Sequence, residues 1–416
     1  MATVSPTSAF APSAAPAQAA PAAKAARDPR LDFYRGIAMF IILIAHIPRN
    51  FWGGWIPARF GFSDATEIFV FCSGMASAIA FGGAYARRGW LMGTSRVVFR
   101  IWQVYWAHIC LFFFTAMLMA ALDTYGAFDK SYINSLNLKR FFEDTPTQIV
   151  GLFTLTYVPN YFDILPMYMV ALALMPLFMA LSGVGFWAVA VTSIAIWLGA
   201  QAQILQLPAE PWSEREWYFN PFGWQLLFFT GFAFMKGWLP QPPVSKTLMW
   251  ICIAFLVLTM PIGSWKVFTW INNGLPELGA DIRPAWTAIR VFQEEASFNL
   301  RGKTDFGILR YLHFLSLAYL AWLVAGEGGK RLVASGTGAL AQVWEVLLTL
   351  ITKVGQQSLA VFVFSMAVAR LLGFVLDQIG RTNANVALVN LVGFAMLIAV
   401  AYTAAWFKSQ PWRSKK

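Results

Sequence analysis

Charge is scarce in this 416-residue chain: Asp, Glu, Lys and Arg together make up 12%, about half the share usual in a soluble domain. With 58% hydrophobic residues beside it, that scarcity excludes an ordinary soluble fold. Cysteine is scarcer still. Cys72, Cys110 and Cys252 lie singly in apolar stretches without CxxC spacing, which excludes a disulfide framework and a zinc site and leaves them as small core hydrophobes. Acids are too few to balance the bases, and the net charge is +11. Because Lys and Arg sit in short clusters between apolar runs and not in one domain, membrane topology explains them and nucleic acid does not. Also missing are GxSxG, a Walker loop, HExxH and a strand-to-helix GxGxxG, so a hydrolase elbow, nucleotide hydrolysis and a dinucleotide fold find no support.

What is abundant is apolar and aromatic, including 19 Trp and 37 Phe. Runs close to the roughly 20 residues that cross a bilayer occur at 33–50, 65–84, 96–121, 161–182, 184–204, 221–238, 247–263, 307–325, 356–377 and 386–407. They predict an all-α, polytopic helical bundle of about 10 transmembrane helices. The stretch 334–350 is a marginal addition, and period-two alternation is absent, against a barrel. Residues 1–27, rich in Ala and Pro, cannot bury enough surface to order themselves and lack the pattern of a cleavable signal peptide. They read as a cytoplasmic tail before a membrane domain at 28–408 and a basic tail at 409–416.

Orientation follows from the loop charges. Lys24, Arg27 and Arg30, then Arg87, Arg88 and Arg96, Lys236 and Lys246, Lys330, Arg331 and Lys353, and Lys408 to Lys416 fall on one side, which puts both termini in the cytoplasm. The longer loops 122–160, 205–220 and 264–306 face the other side and carry most acids, among them Asp129, Glu294 and Glu295. Trp212, Trp217, Trp265, Trp270 and Trp286 in these loops read as interfacial anchors or as platforms for sugar rings.

Arg35 and His46 stand eleven positions apart with nothing ionisable between them. On a helix that is about three turns, so both side chains share one face about 17 Å apart along the axis. A guanidinium fork suits a phosphate or carboxylate, and a neutral imidazole suits deprotonation of a hydroxyl. Asp32, three residues before Arg35, is placed to pair with it. Asp64 reads as an N-cap, while Glu67, one turn into an apolar segment, and Asp64 itself are both candidates to orient His46 through a ring nitrogen. Arg96 and Arg100 are expected near the cytoplasmic surface, either on lipid headgroups or joining Arg35 on a polyanionic donor. His108 and His313 read as core polar groups. Asp163, Tyr168, Gln225, His313 and Ser358 complete the candidates as groups supporting an acceptor, and Pro166 allows a local break in its helix. Three intramembrane histidines could alternatively ligate haem or a metal, but none has the paired spacing that would favour this.

Arg27-Asp-Pro-Arg-Leu-Asp32-Phe-Tyr-Arg35-Gly, His46-Ile-Pro, Phe60-Gly-Phe-Ser-Asp64-Ala-Thr-Glu67, Ile164-Leu-Pro-Met-Tyr168, Asn220-Pro-Phe-Gly-Trp-Gln225, Tyr311-Leu-His313 and Gly355-Gln-Gln-Ser358 resemble the OpgC-type membrane acyltransferases, related to the acyltransferase-3 group. The resemblance implies a multi-pass enzyme of the bacterial inner membrane that moves an acyl group, succinyl in the named members, to a glucose-based periplasmic glucan. It implies His46 as catalytic and Arg35 as donor-binding. The expected partners are then a cytoplasmic acyl-CoA, possibly succinyl-CoA, gripped by Arg35, Arg96 and Arg100, a glucan or other extracytoplasmic glycan, and the bilayer, with no permanently bound cofactor. Two other classes fit polar residues on inward stripes: an exporter of small organic molecules, disfavoured by the absence of repeats, and a haem or quinone redox protein using His46, His108 and His313.

Overall fold

The computed structural model describes residues 28–126, 130–295 and 300–413. The expected tail 1–27, Asp129, Lys415 and Lys416 lie outside the described residues, as do the side chains of Glu294 and Glu295. Among the described residues the structure is all helical, with one isolated bridge between Pro208 and Glu216.

Helix α1 (Pro29–His46) is capped by Asp28, whose carboxylate accepts from the Arg30 amide. It is followed by α2 (Ala65–Ser77), which runs through a π-type segment at Ala78–Gly82 into α3 (Gly83–Tyr125). The apolar runs at 65–84 and 96–121 thus lie on one nearly continuous helical path, broken at Gly89, where φ is 77°, a value glycine adopts without steric cost. Short helices α4 (Lys139–Glu143) and α5 (Thr145–Thr154) fold the segment expected as a loop. The run 161–182 divides into α6 (Ile164–Ala173) and α7 (Met175–Leu181). Pro176 sits in the first turn of α7, so the break comes there and not at Pro166, because Pro176 cannot donate into the ladder of the preceding turns.

There follow α8 (Phe186–Gln201), α9 (Pro221–Lys236) and α10 (Lys246–Gly263). The segment 264–306, read as a loop, instead holds α11 (Trp265–Gly274) and α12 (Pro276–Glu295). These two have apolar residues at helical spacing among many polar ones, too few in sequence to register as a run. The chain closes with α13 (Ile308–Ala325), α14 (Ala339–Gln356), α15 (Ser358–Ile379) and α16 (Asn383–Ser409).

Among the described residues, six helical segments are long and apolar enough to cross a membrane: Ala65–Tyr125, Ile164–Leu181, Lys246–Gly263, Ile308–Ala325, Ser358–Ile379 and Asn383–Ser409. The chain is a membrane protein by this measure. Helix α1 carries Arg30, Asp32 and Arg35 within its 18 residues. Helices α14, α2, α15 and α16 all pack against α1.

Two contacts fix the register of this packing. At one end Arg35 donates to the Ser358 hydroxyl at the start of α15. At the other, the space beside Gly373 of α15 is filled by the ring of Pro48, just past α1, and Arg381 donates to the Pro48 carbonyl. Helices α1 and α15 therefore run parallel between these two contacts, with Arg35 near the level of Ser358 and Pro48 near that of Gly373. Gly355 brings α14 equally close: a Cβ there would overlap the carbonyl oxygen of Asp32.

Candidate active site

His46 ends α1, partly exposed. Its Nδ1 lies 2.7 Å from the carbonyl oxygen of Ile42, one turn back. A carbonyl only accepts, so Nδ1 carries the proton and Nε2 of the neutral ring is left with its lone pair. The expected carboxylate on this imidazole is thus replaced by backbone. The chain's exit from α1 is held by a reciprocal pair of buried amides, Asn50 Nδ2 to Asn390 Oδ1 at 2.7 Å and Asn390 Nδ2 to Asn50 Oδ1 at 3.2 Å.

Asp64 and Glu67 are engaged elsewhere. They form a capping box at the start of α2: Asp64 accepts from the Thr66 amide, and Glu67 accepts from the Asp64 amide at 2.7 Å. Each then takes a cation that lies more than 230 residues away in sequence. Lys303 donates to Asp64, and Arg310, on α13, donates to fully buried Glu67 at 2.7 Å. Burial would push the Asp64 carboxyl up, but the charge and hydrogen bond of Lys303 outweigh it and hold the group well below the usual carboxylate range. Asp64, Lys303 and Arg370 are all close enough to act on His46 electrostatically. Asp64 therefore belongs to the surroundings of His46 without bonding to it, and Glu67 is taken up by Arg310.

Lys303 is placed by the Asn220-Pro-Phe-Gly-Trp-Gln225 block. Asn220 caps α9 and donates to Asp305, its own amide donates to the Thr304 carbonyl, and Trp224 Nε1 donates to the Lys303 carbonyl at 2.8 Å. The block clamps the loop that carries Lys303. Gln225, expected to support an acceptor, is instead fully buried and saturated: it accepts from the Ser193 hydroxyl and donates to the carbonyls of Ser193 and Phe222. Tyr168 is likewise buried, edge-on to Phe228. His313 bonds the Ser63 hydroxyl at 2.7 Å and fills the space beside Gly61, which steadies the loop entering α2. Next to that loop a cavity of about 390 Å³ is lined by Ala58, Gly61, Phe62, Gly263, Arg301, Gly302 and Arg310.

Asp163 is buried at the start of α6, with Arg215 the nearby cation, and its Oδ1 has no hydrogen-bond partner among the described residues. His108 is fully buried in α3 and neither ring nitrogen has one. The three histidines thus occupy separate settings.

About 17 Å along α1 from His46, Arg35 bonds Ser358, and buried Asp32 lies nearby on the same helix. Arg96 and Arg100, the other two members of the expected grip, lie on α3. Arg96 is exposed, Arg100 donates to Gln103 on its own helix at 3.1 Å, and α3 packs against α6, α7 and α15. Of the tryptophans, Trp217 and Trp286 are tied to the carbonyls of Pro208 and Pro261, whereas Trp265 and Trp270 are exposed.

Arg310, Lys303, Arg370 and Tyr161 were not singled out from sequence. Arg370 and Arg310 each interrupt an apolar run, the same signal that marked Arg35. Lys303 and Tyr161 lie in connecting segments with no such signal. Tyr161 meets His46 edge to face, with ring centroids 5.2 Å apart.

No match is found among curated proteins or solved structures. The family model described as OpgC protein matches residues 27–409, which span α1 to α16 and every residue of the site. That family points to a membrane-bound transferase acting on glucans; the chain belongs to the OpgC family.

Proposed function

We propose that this chain is an integral membrane O-acyltransferase that moves an acyl group, succinyl by family resemblance, from a cytoplasmic acyl-CoA to a hydroxyl of a periplasmic glucan in the bacterial inner membrane. The observation that carries this reading is the bond from His46 Nδ1 to the Ile42 carbonyl, which makes Nε2 the free base of the ring.

Two routes use that lone pair. In direct transfer, Nε2 takes the proton of the sugar hydroxyl as its oxygen attacks the thioester carbon, and the departing thiolate recovers the proton from the imidazolium. In the carrier route, Nε2 attacks the thioester itself and the acyl group passes to the sugar in a second step. Both fail if the ring carries its proton on Nε2, so the Ile42 carbonyl serves either.

Arg35, with Asp32 and Ser358 beside it, is the site for the donor's anionic end. A pantetheine arm on the order of 20 Å long matches the axial rise from Arg35 to His46. The cavity bounded by Gly61, Phe62, Arg301 and Arg310 is where the acceptor enters, and Asp163 is a further polar group for it. Mass spectrometry of periplasmic glucans tests the function. Cells carrying the chain yield glucans heavier by whole acyl groups, cells without it do not, and identical spectra from the two would refute the reading.

A further inference from the structure

The cations around His46 are not alike. Lys303 is paired with Asp64, whereas Arg370 forms no salt bridge among the described residues. It stands in the middle of α15, a helix apolar enough to cross the membrane, where a cation without a counter-charge is costly and marks a functional position. Its Nε is buried and has no hydrogen-bond partner among the described residues. The guanidinium lies over the face of Tyr161, 4.0 Å from the ring centroid, and the same ring meets His46 edge to face. The Tyr161 hydroxyl donates to the carbonyl of Met366, one turn before Arg370, and its backbone is held at φ 96°, a conformation an aromatic residue adopts only when its surroundings impose it. The parallel run of α1 and α15 completes the placement: His46 lies eleven positions after Arg35 and Arg370 twelve positions after Ser358, so Arg370 comes level with His46 as Ser358 does with Arg35.

We propose that Arg370 stabilises the oxyanion of the transfer. As the acceptor oxygen bonds to the thioester carbon, the carbonyl π electrons move onto oxygen and the hydroxyl proton passes to His46 Nε2. Arg370 donates N–H bonds to that oxygen and gives up no proton. When the carbonyl re-forms, the C–S bond breaks and the thiolate takes the proton from the imidazolium. In the carrier route the same oxygen becomes negative in both steps, and Arg370 serves each. The aromatic face of Tyr161 holds the guanidinium between turnovers without offering it an anion that substrate would have to displace.

This inference rests on the acyltransferase reading, and the test separates the two. Turnover by the purified full-length chain in lipid nanodiscs is measured against succinyl-CoA concentration, with a glucose-based glucan as acceptor, for wild type, His46→Ala, Arg370→Gln, Arg370→Lys and Arg370→Gly. Arg370→Gln is expected to lose about 100- to 1,000-fold in kcat while the donor KM stays within about threefold. Millimolar guanidinium ion is expected to restore part of the turnover of Arg370→Gly where equal sodium chloride does not, a response a packing defect would not give. Should the Gln and Gly variants fail to fold, Arg370→Lys decides, with kcat expected to fall at least about tenfold at unchanged KM. Arg370 variants that keep wild-type kcat, raise only the donor KM, or ignore guanidinium overturn the proposal while leaving the acyltransferase reading intact. A wild-type chain that transfers nothing overturns both.

Discussion

Asp64 shows how a carboxylate visible in sequence acquires a role that sequence does not display. Its position as an N-cap follows from local pattern, Ser-Asp-Ala-Thr-Glu ahead of an apolar run, and the capping box is there. Its cation is not local. Lys303 arrives from a loop clamped by α9, and only folding brings the two together. Because Lys303 holds the Asp64 carboxyl below the usual range, the pair contributes fully above about pH 4 and is lost as the pH falls through that lowered value. Lys303→Met is therefore expected to cost about 2 kcal/mol at pH 7, with the gap to wild type closing in strong acid. Apparent melting temperatures of both proteins in detergent from pH 8 down to about pH 2 check this, and a gap that does not shrink below about pH 4 contradicts it. The spacing of Arg35 and His46 was legible because helical period is a property of sequence alone. The Ile42 bond was not, since backbone and carboxylate compete for Nδ1 and only the fold decides between them.

Helices were the most legible elements, because an apolar run in a membrane has little choice but to be one. Their joins were less so. Whether 65–84 and 96–121 form one path or two depends on Gly89, and the helices α11 and α12 hide in a polar composition. The packing of α1 on α14 illustrates what periodicity omits: it depends on a backbone approach at Gly355, with no side chain to announce it. Gly355→Leu is expected to force α14 off α1 and lower stability by about 1–3 kcal/mol, and it should also weaken donor binding by shifting Asp32 and Arg35. Thermal unfolding with and without acyl-CoA reads both effects. At the opposite end, Asn220→Ala removes the α9 cap and the bond to Asp305. Loss of a cap costs about 1 kcal/mol, and the freed Lys303 loop should reduce turnover more than donor affinity, which steady-state kinetics separates.

Across the whole molecule, polarity is arranged in two levels on one parallel pair of helices. Arg35 with Ser358 forms one level and His46 with Arg370 the other. We propose from the loop charges that the Arg35 level faces the cytoplasm; a reporter fused after Lys416 should then be active only when it requires the cytoplasm, and activity of a reporter that requires the other side would contradict this. Composition made the membrane setting legible, but it carried no information about which polar residues meet, because those meetings join segments as distant as residues 46, 161 and 370. The most direct measurement of transfer between the two levels uses proteoliposomes with glucan trapped inside and labelled acyl-CoA added outside. Wild type oriented with its Arg35 level outward should label the trapped glucan, and His46→Ala, correctly inserted, should lower that labelling by at least about 100-fold. Undiminished labelling by His46→Ala, or labelling that occurs only when donor and glucan share a side, would contradict a route from Arg35 to His46.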